Sequence, residues 1–557
     1  MNIKTYSKSI NWNEIGQLLE YDDVCIKVPE FLILIKKCKD FKIKFERTIK
    51  ILQNYSPNNW LLFFYNSKFS NIEKTYEIKF SLNEYINKNY DIRLLRMDGK
   101  IYDSLCYIRP RKIEKKANDN IFELAFSDKT NITTKHRRKL SLQDAGQKAR
   151  TYLNHKVNGN LLIDASSSHM AGVAYTYRDG NYKNKSYGYG RGWDYPDAIN
   201  IALLEAVERF VSQFYDYDPL DNSIIYDNYK SIKNNAYSPS KYILEDTSNV
   251  DEDTYMFWSK AQSVISGKYI WVPEDLVVYG NNIFRDNYKR MIHDSSNGVS
   301  LGGSYAEAMI GALMELVERH SFLATWFGEV PGKNIPISSQ YLDENMIHTI
   351  NNLTNNFYNI RLFEISVIEG VYVVWCLIIN DSDNSTMYSY SAAGSGLTIE
   401  EAINDALTEA IVGMSVYSNN QDDMPKTPSK IMTLEDHVRF YGNRKCKDSF
   451  TFTKYFKNKT RYYNFESINH LDNLGRKLQY LVNKISAKFD DILFVNLTSD
   501  ALKYNKLYAV KAIVPGMFPM TFGDDSLRIS LDLINKLRTK NNLKELIKLK
   551  KGPHPFP

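Results

Sequence analysis

The sequence predicts an α/β (α+β) protein in which one strand–turn–helix unit recurs around a shared site. Two observations predict it. The stretch ALLEAVER (Ala202–Arg209) returns almost unchanged as ALMELVER (Ala312–Arg319), each time within apolar spacing of helical period. Strand-like runs, SHMAGVAYTY and VYVVWCLII, lie upstream of two copies of the unit.

The repeat is wider than eight residues. RGWDYPDAINIALLEAVER (191–209) aligns without gaps on LGGSYAEAMIGALMELVER (301–319) and, more weakly, on SGLTIEEAINDALTEAIVG (395–413). Each copy opens on a glycine-containing turn and sets an acid at the helix start: Asp197, Glu307 and Glu401. Eight residues on stands a second acid: Glu205, Glu315 and Glu409. Before the repeats, residues 1–111 contain short apolar runs such as NWLLFFYNSKF and predict a small mixed domain. Residues 112–147 are polar and charged and predict a linker, and residues 148–557 carry the repeated unit.

At 557 residues, 43% of them hydrophobic, the chain has room for more than one core. The net charge of +6 does not predict nucleic-acid binding, because 65 acidic residues face 71 basic ones and no long basic block stands out. Five scattered cysteines without a CxxC pair fit a reducing compartment. With no signal-peptide core and no run of about 18 apolar residues, a cytoplasmic protein without membrane or nucleic-acid partners is expected.

The repeated carboxylates carry the chemistry. At roughly 100° per residue, Glu307, Glu315 and Glu318 fall within one arc of their helix, as do Asp197, Glu205 and Glu208 of the first. Glu307 and Glu318 are roughly 16 Å apart along the axis, so no single ion is held by one helix's whole set. Helices side by side can hold magnesium, which shares its coordination with phosphate oxygens. Arg209 and Arg319, next to the last acids, offer guanidinium groups to phosphate. One Glu-x-x-Glu-Arg is ordinary on a solvated helix, but the same register written twice is not explained by amphipathicity. GYGRG (188–192) has the look of a phosphate cradle, although such turns more often serve geometry alone. No GxxxxGK[ST] is present, and His155, His293 and His320 are isolated.

Together the two ExxER helices, the lead-in SNGVSLGGSYAEA, the element GSGLTIEEAINDALTEA and the closing PHPFP (553–557) resemble the YcaO family, and the last resembles the tail of its azoline-forming cyclodehydratases. The resemblance implies ATP among the repeated helices and Mg2+ on their glutamates. Position by position it implies nucleotide contacts at Arg191, Glu205, Glu208, Arg209, Ser300, Glu307, Glu315 and Glu318. The metal ligands among these are Glu205, Glu208, Glu307, Glu315 and Glu318, with Arg319 and Pro557 at the reacting groups. Ile201, Gly303 and Val412 depart from the family's polar pattern.

The implied reaction forms thiazolines or oxazolines from Cys, Ser or Thr of a ribosomally made precursor peptide. The side chain attacks the preceding carbonyl, the oxyanion takes the γ-phosphoryl group of ATP, and phosphate leaves. The implied partners are a leader-binding protein related to ubiquitin-activating enzymes and a downstream flavin dehydrogenase, with a homodimer allowed. A thioamide- or amidine-forming enzyme and a non-catalytic scaffold subunit are the alternatives. PHPFP counts against the first and the retained glutamates against the second.

Overall fold

The computed structural model describes residues 4–6, 24–28, 31–35 and 92–96, then 120–556. Breaks within that last span fall at 133–137, 157–161, 168–169, 180–181, 193, 214–223, 245–249, 280–291, 338–340, 343, 356–357, 383–385, 419–430, 432, 459–470, 524–526 and 551.

Antiparallel pairing dominates, so the architecture is α+β. Near the N-terminus β1 (Lys4–Tyr6), β2 (Val24–Val28), β3 (Phe31–Ile35) and β4 (Ile92–Arg96) form a four-stranded sheet in that order. These β-rich segments agree with the strands expected there, whereas NWLLFFYNSKF lies outside the described residues.

Helix α1 (Ile121–Phe126) falls inside the stretch read as a linker, and there the structure corrects the reading. Ile121, Phe122 and Ala125 are buried in the largest core, and Ile132 accompanies them. Three apolar side chains at helical spacing outweigh the polar residues around them. Helix α2 (Leu142–Lys156) follows.

The three repeats then appear as three strand-to-helix junctions. β7 (Tyr182–Arg191) feeds α3 (Tyr195–Gln213), β11 (Val299–Gly302) feeds α4 (Tyr305–Gly328), and β15 (Ser389–Gly396) feeds α5 (Ile399–Ser418). The upstream runs noted in the sequence are the neighbouring strands β6 (Met170–Asp179) and β14 (Tyr372–Asn380), which pair antiparallel with β7 and β15. GYGRG is therefore mostly strand, and its glycines serve packing.

The three junctions are built alike. Asp194, Ser304 and Thr398 occupy the same repeat position, and each accepts a hydrogen bond from the backbone N–H three residues on, at 2.8, 3.3 and 3.1 Å. Three different residues thus satisfy the same N-capping requirement. Helix and strand then approach so closely that one partner must lack a side chain. A Cβ on Gly190 would stand 1.7 Å from the Ala198 carbonyl oxygen, and one on Gly394 would stand 2.4 Å from the Ala406 nitrogen. In the second copy the roles reverse: the strand carries Ser300, and the helix has Gly311, whose Cβ would stand 2.4 Å from Ser300 Oγ.

β11 lies at the edge of a six-stranded sheet beside β18 (Tyr508–Ile513), and β15 at the edge of a five-stranded one. Helix α4 is apolar almost all round, from Tyr305 to Phe327, and fills the core between them.

Gly394→Ala is expected to lower stability by about 1–3 kcal/mol or more, because the methyl group meets helix backbone that cannot move alone. Urea unfolding of the wild type and the variant measures it.

Candidate nucleotide and metal site

Each helix contributes acids from near its middle, and the junctions aim them at one another. From α3, Glu205 accepts from the Tyr189 N–H at 2.7 Å and pairs with Arg209 at 2.7 Å. One turn on, Glu208 reaches into the second copy and accepts from the Leu301 N–H at 2.8 Å. From α4, Glu315 accepts from the Gly298 N–H at 3.3 Å and lies 4.0 Å from Arg319. Arg191, at the end of β7, forms an ion pair with Glu409 of the third copy. Ser395 of β15 donates to the Met314 carbonyl at 3.2 Å. Each copy is therefore stitched to the other two.

Electrostatics shows how crowded this space is. Burial pushes Glu208 up to about 8 against the pull of the Leu301 N–H, and Glu315 and Glu205 add to the rise. Burial also pushes Glu318 up to about 8, with Arg319 opposing and Glu409 and Glu315 reinforcing it. Glu315 is raised for the same first reason. Burial works to lower Arg191, but Glu409 overrides it and raises that guanidinium. Five carboxylates (Glu205, Glu208, Glu315, Glu318 and Glu409) thus act on one another beside three guanidinium groups, Arg191, Arg209 and Arg319.

The structure divides the residues read from the sequence. Arg191, Glu205, Glu208, Arg209, Glu315, Glu318 and Arg319 come together. Glu307 is held apart: its Oε2 accepts from the N–H groups of Gly303 and Lys139, both at 3.0 Å, and closes its own turn. Glu401 does the same in the third copy, accepting from Leu397 at 3.0 Å. The helix-start acid is thus a capping group, and the described contacts give no support to Glu307 as a metal ligand. Ser300 faces Gly311 within its own copy. Pro557 lies outside the described residues.

Glu409 belongs to the site although it was not counted among its ligands. The gap-free alignment places it level with Glu205 and Glu315, although the third copy has no Arg four residues after it. Lys139, within the stretch read as a linker, donates its backbone N–H to Glu307 and pairs with Asp128 at 3.4 Å. His320 is a core residue, as its isolation suggested: its Nδ1 accepts from the Phe518 N–H at 3.1 Å, and burial pushes it down to about 3.

The PHPFP segment packs inside the protein. Trp326 and Tyr441 both donate to the Pro553 carbonyl, at 3.2 and 2.6 Å. His437 lies in helix α6 (Leu434–Tyr441); its Nε2 accepts from the Gly523 N–H, so its Nδ1 carries the proton and donates to the His554 carbonyl at 2.8 Å. Phe556 stacks on Phe322 with centroids 4.5 Å apart, and the Arg319 guanidinium lies 4.1 Å from its ring centre. The tail therefore reaches the acid cluster through Arg319.

Among the described residues no three acids or histidines are close enough to chelate an ion by themselves. The donors still suit a magnesium ion that takes its other ligands from phosphate and water. Glu208, Glu315 and Glu318 are desolvated, and the Arg191 Nε is buried without a hydrogen-bond partner.

A cluster of carboxylates and guanidinium groups on repeated strand-to-helix junctions has the donors that a nucleotide and its cation require. The chain belongs to the YcaO family: residues 189–518, more than half its length, match the family described as YcaO cyclodehydratase, ATP- and Mg2+-binding. The family's description is that of an enzyme that binds ATP and Mg2+. YcaO of Methanopyrus kandleri, solved with AMPPCP and Mg2+, matches over 70% of this chain and 94% of its own, with a TM-score of 0.52 and 18% identity. A heterocyclase solved in complex with substrate and cofactor matches over 99% of this chain and 80% of its own, with a TM-score of 0.58 and 14% identity. These likenesses show the fold. An uncharacterised protein of Mycobacterium tuberculosis is 26% identical over 174 residues, which span 30% of this chain and 37% of that relative. No helix among the described residues is long and apolar enough to cross a membrane.

Stability without nucleotide should fall as pH rises. Unfolded glutamates lose their protons near 4.5, whereas native Glu208 and Glu318 keep them up to about 8. Across that window the native state binds more protons, so its advantage shrinks with rising pH. Thermal unfolding at pH 6 and 8.5 checks this, and Glu318→Gln should flatten the fall.

Proposed function

We propose that this chain is an ATP-dependent peptide cyclodehydratase that converts Cys, Ser or Thr residues of a ribosomally made precursor peptide to thiazolines or oxazolines. The observation that carries the reading is one cluster drawn from all three copies: Glu315 lies 4.0 Å from Arg319, Arg191 pairs with Glu409, and Glu208 and Glu318 are pushed up by burial and by their carboxylate neighbours. Carboxylates held together at such cost favour a divalent cation that discharges them.

Glu205, Glu208, Glu315, Glu318 and Glu409 are assigned to the cation side of the site, and Arg191 and Arg319 to phosphate. Arg209 is engaged by Glu205 and serves to orient it. When bound, ATP supplies the phosphoryl group that turns the amide oxygen, otherwise lost as hydroxide, into a good leaving group. The protein's part is to hold reactants in line and to neutralise charge. Arg319, fixed between Glu315 and the Phe556 ring, points a guanidinium whose direction the tail sets. Pro557, one residue further on, is assigned to proton handling or substrate positioning.

The domain division is part of the proposal. Residues 148–557, together with the core helix at 121–126, form the catalytic unit. Residues 1–111 dock the peptide or a leader-binding partner related to ubiquitin-activating enzymes, with a flavin dehydrogenase acting on the azoline afterwards.

Calorimetry of MgATP on the full chain tests the reading. Wild type should bind, and Glu318→Gln should bind at least tenfold more weakly while staying folded; no binding by wild type, even with a partner protein present, would sink the assignment. Removing Pro557 alone should leave MgATP binding intact and lower the cyclisation rate at least a hundredfold, read by mass loss of 18 Da per ring. An unchanged rate would remove Pro557 from the mechanism.

A further inference from the structure

The hydroxyl of Tyr390 is explained neither by the repeat nor by the residues assigned above. Tyr390 lies near the start of β15 and is 2% exposed. Its ring lies against α5, where a Cβ on Gly413 would stand 2.1 Å from its Cζ, and the Tyr417 ring is 5.8 Å away. The ring packs against two successive turns of that helix, yet its hydroxyl is buried without a hydrogen-bond partner. Native proteins rarely leave such a group unpaired unless it serves a purpose.

The hydroxyl end of the ring sits against Gly413, one helical turn after Glu409, whose carboxylate pairs with Arg191, so it lies beside the carboxylate–guanidinium cluster, and Arg191, Glu409 and Arg319 all bear on it. A second donor there is in the same condition, the Nε of Arg191, although another nitrogen of that guanidinium meets Glu409. A guanidinium can only donate, and a tyrosine hydroxyl donates readily. Two buried donors at one cluster call for an acceptor, and beside guanidinium groups an anionic oxygen is the favoured one.

We propose that Tyr390 is a phosphate-binding residue of the nucleotide site, its hydroxyl donating with Arg191 Nε to a phosphate oxygen of the bound nucleotide. The proposal rests on the ATP reading above. It also gives the departure at Val412 a physical reason. The third helix offers a buried valine at that position, and the glycine that follows clears room for a tyrosine to reach in from the strand. The polar contact comes from the sheet in place of the helix.

Tyr390→Phe keeps the ring and its packing and removes only the hydroxyl. MgATP calorimetry on the full chain, with thermal unfolding in the absence of nucleotide, reads both consequences. MgATP affinity should fall about tenfold or more. The nucleotide-free variant should be at least as stable as wild type, because an unpaired buried hydroxyl has gone. Unchanged MgATP affinity overturns the proposal and leaves the ATP reading standing. So does a variant that is less stable without nucleotide, since the hydroxyl would then have a partner in the protein. Binding of inorganic phosphate that the variant loses while MgATP binding persists overturns the assignment to nucleotide. A wild type that binds no MgATP overturns both proposals.

Discussion

Like charges held close together in a partly buried space are the constraint on which this molecule is organised. Carboxylates repel, and burial raises the cost of ionising each one. They stay in place because each belongs to a helix whose start is capped and whose face is pressed against a strand at backbone distance. The N–H groups of Tyr189, Leu301 and Gly298 each take one carboxylate oxygen, and the guanidinium groups take part of what remains. Glu208 and Glu318 relieve the rest by keeping their protons up to about 8, and a cation that displaces those protons is what would give the site its chemistry.

The repeat made much of this legible in the sequence. Its gap-free register already implied that three helices are equivalent and that acids eight residues past the helix start share one environment. Period alone could not divide the labour between the acids. Glu307 and Glu315 look alike on a helical wheel, but Glu307 lies in the first turn, where free N–H groups of the incoming chain take its carboxylate first. Nor could it show that the glycines of GYGRG face helix backbone, since a strand edge and a phosphate loop share that composition. The core helix at Ile121 was hidden for a different reason: six residues are too few for periodicity to stand out from charged flanks.

The three departures from the family pattern have different accounts. At Gly303 the space a side chain would enter is taken, with Leu140 Cγ 3.0 Å and Lys139 Cβ 3.2 Å from the would-be Cβ. An asparagine there would have to displace the segment that also caps Glu307. Val412 is buried beside the glycine that admits Tyr390. Nothing in the structure explains Ile201.

The packing of PHPFP changes what kind of object the tail is. Its carbonyls are pinned at Pro553 and His554, and Phe556 is wedged between Phe322 and the Arg319 guanidinium. A segment held this way works as a shim, not as a tether. Its thickness sets the clearance under a guanidinium that the acid cluster also pulls on. A change of ring size at Phe556 would therefore be felt as a change of aim at Arg319, so the site is tuned from behind by a residue that faces the core.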